Sequence, residues 1–199
     1  RVLFRSNLYW TGGYDSTFRL CEILLNEGNI VQPIYISLVL DNDCKTEETC
    51  NKLWLRRNRT EEKKAMNTII NTLNTKFPFT KQTLLPLLEV DKPIDNNAFN
   101  YEFDNLFYKD NLWPRKRKTH QYWFLSKYAY YHKKNIDIGV LGIHEGSKFA
   151  VYLKNNLIRI NNNFELNNKE HPLGYLTFPL YSRTKEELLE TSRQGNYDD

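Results

Sequence analysis

The residues best equipped for chemistry lie together near the amino end, in the run Thr11, Gly12, Gly13, Tyr14, Asp15, Ser16 and Thr17. Two adjacent glycines let a backbone approach a ligand closely, Ser16 and Thr17 add hydroxyl donors, and Asp15 adds a carboxylate. At the start of a helix such a loop gathers unpaired backbone N–H groups and the positive end of the helix dipole at one point, which makes an anion site. The spacing excludes the two best-known phosphate loops, because neither G-x-x-x-x-G-K-[ST] nor G-x-G-x-x-G is present. A tight turn with Asp15 as the helix N-cap is the competing reading, and physical chemistry alone does not choose between them.

Other candidate groups are scattered. Arg115, Arg117 and Lys118 sit in "WPRKRKTHQYW", where cations could meet phosphate or carboxylate and the flanking rings could stack on a planar base. His144 and Glu145 follow an apolar strand, Lys185 falls in the first turn of a late helix, and Arg56, Arg57 and Arg59 precede another helix. Each of these also reads as solvated surface, and the last three as a salt-bridged one. The three cysteines form no C-x-x-C pair, so neither a disulfide framework nor a zinc site built on Cys44 and Cys50 is expected.

The elements that must position these groups follow from periodicity. "LFRSNLYW" reads as a buried strand running into the glycines, and Phe18, Cys21, Leu24 and Leu25 recur at helical spacing up to Gly28, a natural stop. Cys21 thereby falls on the apolar face of that helix. Residues 31–40 read as a second strand, and Thr60 as the N-cap of a helix with Glu61 and Glu62 in its first turn. Its inner face is Ala65, Met66, Ile69, Ile70 and Leu73. Residues 82–90 read as a third strand interrupted by Pro86. Residues 91–118 exceed an ordinary connection and suggest a lid or a substrate-facing excursion. A ring-rich helix is expected over 119–132, then a strand in "IDIGVLGIHEG" ending at Gly142, a hairpin around 149–161, and a helix opened by a Thr184–Glu187 capping box. Strand and helix alternate, which predicts an α/β fold: a parallel sheet with helices on both faces in one domain, its ligand beyond the carboxyl ends of the strands.

Composition narrows the partner. The chain has 199 residues, 40% of them hydrophobic, and a net charge of +4 from 28 basic and 24 acidic side chains. That suits an anionic small ligand and falls short of a duplex-binding surface, so nucleic acid is not expected. No apolar run approaches the ~18 residues of a membrane span, and no signal-peptide core opens the sequence; a cytoplasmic setting without membrane contact is expected.

"TGGYDST" resembles the SGGxDS signature of the PP-loop ATP pyrophosphatases, with Thr11 in place of the first Ser. "PLYSRTKEEL" resembles the PL-x-x-x-TK-x-E segment found late in several of these enzymes, and "IGVLGIHEGS" their strand ending in Gly before a nucleotide-side loop, so the resemblance spans roughly residues 7–190. The resemblance implies an adenine nucleotide alpha hydrolase-like, Rossmann-like three-layer sandwich. It also implies ATP held through its pyrophosphate by Thr11, Gly12, Gly13, Tyr14, Asp15, Ser16 and Thr17, with Asp15 as a Mg2+ partner. Adenine would lie against the second strand near Tyr35 and Ile36, held by main-chain groups, and Gly142 would border the nucleotide. Asp15, Ser16 and Lys185 would be the catalytic set, with Arg115, Arg117, His144 and Glu145 toward the substrate.

Size, the TK-x-E segment and "WPRKRKTHQYWFLSKYA" look most like the 7-cyano-7-deazaguanine synthases. These activate 7-carboxy-7-deazaguanine with ATP and use ammonia, releasing pyrophosphate and AMP, so the implied partners are a small carboxylate and ammonia, with room left for a homodimer. Those enzymes usually carry a cysteine-rich zinc tail, whereas no cysteine follows Cys50 here, so Zn2+ enters only if such a tail is missing after Asp199. A tRNA-thiolating relative would want a catalytic cysteine pair, for which Cys44 and Cys50 are poorly spaced. A degenerate nucleotide- or RNA-binding member is the reading outside catalysis, disfavoured by the intact GGYDS.

Overall fold

Arg5–Tyr9 forms strand β1, and its alternating side chains decide how the layers assemble. Leu8 and Trp10 point to one face of the sheet and Tyr9 to the other, and Val31 and Tyr35 likewise part from Ile34 and Ile36 in strand β2, Ile30–Ile36. A strand apolar on both faces must be covered on both. The computed structural model of this chain describes residues 4–37, 58–90, 121–142, 148–161, 163–195 and 197.

Helix α1, Tyr14–Cys21, continues through a π-helical turn, Glu22–Asn26, to Gly28 at φ +62°. It packs on one face with α2, Arg59–Lys76, through Leu20, Cys21, Ile23, Leu24, Met66 and Leu73. Cys21 is buried as expected, and burial pushes its thiol up to about 12. The opposite face is covered by Leu125, Tyr128 and Ala129 of α4, Gln121–Tyr131, and by Leu153 of α5, Lys148–Asn156. A short α3, Thr80–Thr83, precedes β3, Leu88–Val90.

The remaining strands are β4, Ile136–Ile138; β5, Leu157–Ile160; β6, Asn163–Leu166; and β7, Leu176–Thr177, followed by α6, Lys185–Gly195. Together they make a seven-stranded sheet in the order β3-β2-β1-β4-β7-β6-β5. Pairs β3–β2, β2–β1, β1–β4 and β4–β7 are parallel; β7–β6 and β6–β5 are antiparallel. The α/β class and the mainly parallel sheet match expectation. From β1 the chain grows outward to β2 and β3 on one side and to β4 and β7 on the other. The strand order therefore reverses between β1 and β4, which is where open α/β sheets bind their ligands.

Several local expectations are corrected. Residues 82–90 are not one strand. Thr80 binds the Phe77 carbonyl and Asn74 to close a helical turn, Leu84 makes a lone bridge to Val31, and Pro86 offers no N–H, so pairing resumes only at Leu88. The hairpin around 149–161 is instead helix α5 running into β5, and the hairpin is β5–β6. Thr60 lies inside α2, whose N-cap position is Asn58, and Ala65 is exposed while its neighbours Met66 and Leu73 are buried. The capping box is present in full: the Thr184 N–H reaches Glu187 Oε2 at 2.8 Å and the Glu187 N–H reaches Thr184 Oγ1 at 3.1 Å. Residues 91–118, and with them the expected lid, lie outside the described residues.

Candidate functional site

The glycine run is the joint between β1 and α1, and each of its residues has a local reason. Trp10 is fully buried; its amide donates to the Ile34 carbonyl at 2.9 Å and its indole Nε1 to Thr17 Oγ1 at 3.1 Å, which ties strand end to helix start. Gly12 has φ +72°, and a Cβ there would stand 3.1 Å from Met66 Cγ and 3.2 Å from the Glu62 carbonyl, so only glycine fits. Gly13 takes the N-cap position in extended geometry, and its carbonyl accepts the Thr17 N–H at 2.9 Å and the Ser16 hydroxyl at 3.1 Å.

Asp15 is therefore not the N-cap. It stands in the first turn of α1, and its Oδ1 is buried with no hydrogen-bond partner. A buried oxygen of that kind costs roughly 1–3 kcal/mol if left unpaired. The amides of Tyr14, Asp15 and Ser16 also have no partner among the described residues. Three N–H groups, one helix dipole and one orphaned carboxylate oxygen thus meet at the carboxyl end of β1.

They open onto a cleft of about 300 Å³ at the β1–β4 switch. Thr11, Gly13, Tyr14, Asp15 and Ser16 form one wall; Ile138 and Gly139 at the end of β4 form another. Tyr122 of α4 and Tyr9 contribute rings, which meet edge to face at 6.3 Å, and Lys185, the first residue of α6, completes the lining. Lys185 is exposed and makes no hydrogen bond or ion pair among the described residues, so its ammonium is available to an anion. Polar donors and a cation thus share the cleft with two rings and Ile138.

Gly139 fixes the depth of the cleft. A Cβ at this position would stand 2.9 Å from Asp15 C and Ser16 N and 3.0 Å from Asp15 O, all backbone atoms of the first turn of α1. The strand expected to run to Gly142 ends at Ile138, one residue before this close approach. Gly142 lies against Tyr181, to whose carbonyl its N–H donates at 2.9 Å, and is not among the residues lining the cleft.

Behind the cleft runs a charged network. Arg19, 6% exposed, donates from Nε and Nη2 to Asp137 Oδ2 at 3.0 and 2.8 Å, and from Nη1 to Glu22 Oε2 at 2.7 Å and to Glu27. Burial opposes its charge, but Asp137, Glu27 and Glu22 more than offset that and hold the guanidinium protonated. Asp137 Oδ1 accepts from Thr177 of β7 at 2.5 Å. Arg183 Nη1 donates to the other Glu22 oxygen at 2.9 Å and Nη2 to Thr191 at 2.7 Å, while its guanidinium lies 4.9 Å from the Phe18 ring centroid.

Of the residues expected at a site, Thr11, Gly13, Tyr14, Asp15, Ser16 and Lys185 come together in the cleft, and Gly12 and Thr17 support it from behind. Tyr35 and Ile36 lie at the carboxyl end of β2 with side chains in opposite cores; the Tyr35 hydroxyl meets Glu62 Oε2 at 2.5 Å, so any ligand contact there falls to the main chain. Arg59 takes the salt-bridged reading: it and Lys63 bind Glu89 at 2.5 and 2.7 Å. Burial disfavours the Glu89 charge, but the bonds from Lys63 and Arg59 prevail and hold its carboxyl down to about 2. Arg56, Arg57, Arg115, Arg117, Lys118, His144, Glu145, Cys44 and Cys50 lie outside the described residues. Tyr122 is among the rings the sequence placed beside a planar ligand, whereas Gly139, Tyr9 and the Arg19 network were missed; a glycine directly after the apolar triplet "IDI" was the available signal for the first.

Compared with known proteins, the chain matches no family model and no curated protein. Among the described residues no helix is long and apolar enough to cross a membrane, and no three His, Cys, Asp or Glu side chains cluster as a metal site.

Proposed function

We propose that this protein is an ATP-dependent, adenylate-forming ligase of the PP-loop type, joining carbon to nitrogen. Its proposed substrates are 7-carboxy-7-deazaguanine and ammonia, and its product is 7-cyano-7-deazaguanine. The observation that carries the reading is the meeting of three partnerless amides, the buried unpaired Asp15 oxygen and Lys185 in one cleft at the β1–β4 switch. The resemblance of "TGGYDST" and "PLYSRTKEEL" to PP-loop signatures supports it, since these two segments, distant in sequence, border the same cleft. The Rossmann-like, adenine nucleotide alpha hydrolase-like assignment, a cytoplasmic setting and a homodimer belong to the same proposal.

In this reading the amides of Tyr14, Asp15 and Ser16, the Ser16 hydroxyl and Lys185 hold the pyrophosphate portion of ATP. Adenine rests against main-chain groups at the end of β2. Mg2+ fits the donor set, because a buried carboxylate oxygen without a donor suits a cation, with phosphate oxygens and water as the remaining ligands. When bound it supplies charge neutralisation of the phosphates. A substrate carboxylate oxygen attacks the α-phosphorus, the bond to the bridging oxygen breaks, and pyrophosphate leaves. Ammonia then attacks the acyl carbon, AMP departs with the carbon–oxygen bonding pair, and a proton goes to water. The resulting amide is adenylated on its oxygen in the same way and loses AMP, which keeps that oxygen, and both nitrogen-bound protons, which go to water, to give the nitrile. Positioning and charge neutralisation dominate such a reaction, so no dedicated general base is required of the chain.

The test is ATP–pyrophosphate exchange with and without 7-carboxy-7-deazaguanine. Exchange that depends on the carboxylate is expected. ATP binding with no exchange for any carboxylate would sink the enzyme reading and leave a nucleotide-binding protein.

A further inference from the structure

We infer that Arg183 is a positioning residue that, through Glu22 and the Arg19 network, holds Lys185 against the amino end of α1. Three nodes of this network stand close in sequence to residues lining the cleft. Asp137 directly precedes Ile138 and Gly139, Arg183 is two residues before Lys185, and Arg19 is one helical turn beyond Asp15 and Ser16. The contacts run without a break from Thr177 through Asp137, Arg19 and Glu22 to Arg183 and Thr191. They tie β7, β4, α1 and α6, and the last three of these carry cleft residues.

The two guanidiniums divide the work. Arg19 is buried and binds α1 to the sheet, whereas Arg183 is only partly covered, packs over the Phe18 ring and takes the second oxygen of Glu22. Glu22 is thus shared between the helix that begins at the glycine loop and the segment that leads into α6. Capping fixes where α6 begins, since Thr184 and Glu187 close on each other, but it does not fix what α6 faces. The Arg183–Glu22 bond, with Phe18 and Leu188 in a shared apolar cluster, supplies that orientation. A lysine ammonium on a flexible stem gains an anion contact only where its helix start is held.

The anion arm of the test rests on the reading of the cleft given above; the other arm does not. Hydrogen–deuterium exchange of peptides covering 14–21 and 184–190 reports the brace directly, and calorimetric titration with inorganic pyrophosphate reports the cleft. Arg183→Met is expected to speed exchange in both peptides and to weaken pyrophosphate binding about tenfold, the scale of one charge-assisted contact. Arg183→Lys is expected to recover part of each. In a double-mutant cycle, Arg183→Met with Lys185→Met is expected to bind pyrophosphate as weakly as Lys185→Met alone, because Arg183 acts through Lys185. Additive losses, or wild-type exchange in both peptides of Arg183→Met, overturn the inference. A wild-type protein that keeps both peptides protected yet binds no pyrophosphate overturns the anion reading instead, and the brace is then decided by the exchange data.

Discussion

Gly139→Ala adds a single methyl group at the closest approach of β4 to α1. Its carbon would stand 2.9 Å from Asp15 C and Ser16 N. Non-bonded carbons settle at about 3.5–4.0 Å, so relief needs a movement of roughly 0.6–1.1 Å. The atoms it meets are helix backbone, which has no rotamer to change, so either the first turn of α1 or the end of β4 must move. Overpacking of this kind costs about 1–3 kcal/mol. In a domain of this size each kcal/mol lowers Tm by about 2–4 °C, which places the fall between about 2 and 12 °C. The effect on function should be larger, because the displaced atoms belong to the amides that face the cleft, and a misplacement of about 1 Å can cost on the order of 100-fold in rate. Thermal unfolding and ATP–pyrophosphate exchange measured on the same preparation check both parts. Gly13→Ala is the internal comparison for stability, since a Cβ there meets only Thr11 Oγ1 at 3.4 Å and should leave Tm close to wild type. A Gly139→Ala protein with wild-type Tm and wild-type exchange would refute the close-packing argument.

Asp15→Ala should leave the fold intact, since the carboxylate has no protein partner to lose, while AMP formation disappears; wild-type turnover in that variant would show that Asp15 has no part in the chemistry. Cys21, its thiol pushed up to about 12 by burial, should resist alkylation at pH 8 until the protein unfolds, as read by site-resolved mass spectrometry; rapid labelling of the native protein would contradict its place in the core. Glu89 is held down to about 2 from the ordinary 4.5, so its stabilising charge is fully present above that ordinary value and fades as pH falls toward 2. The Tm gap between wild type and Glu89→Gln should therefore be widest near neutral pH and close in acid, and a gap constant from pH 7 to pH 2.5 would rule this out.

The parts legible in the sequence were those whose cause is local. The Thr184–Glu187 box, the Gly28 stop and the apolar periodicity carrying Cys21 each show in neighbours within a few residues, as do the residue types of the Gly12–Gly13 joint, and each is present. What failed depended on distant chain. The close approach of α1 to Gly139 joins residues more than a hundred apart in sequence, and no periodicity reports it. Pro86 was visible as an interruption, yet how much strand survives beside it depends on what β2 offers from Val31, which bridges to Leu84, and from Gln32, whose side-chain Nε2 donates to the Pro86 carbonyl at 2.6 Å. For Asp15 the sequence left two readings open, a helix cap and a group facing a ligand; Gly13 occupies the cap position, and the carboxylate oxygen is left buried without a partner at the cleft.

The pairing of β1 with β4 also sets a timetable. Arg19 and Asp137 are 118 residues apart, and Lys185 comes later still. During synthesis the glycine loop and α1 are made long before the glycine that α1 rests on, so the first turn of α1 waits, with three open amides and an unmatched carboxylate, for the far half of its cleft. Anything that slows the docking of β4 prolongs that interval. The site is therefore incomplete until β4 and α6 have docked on α1, and a ligand that bridges its two halves would act as a clamp that favours the docked state.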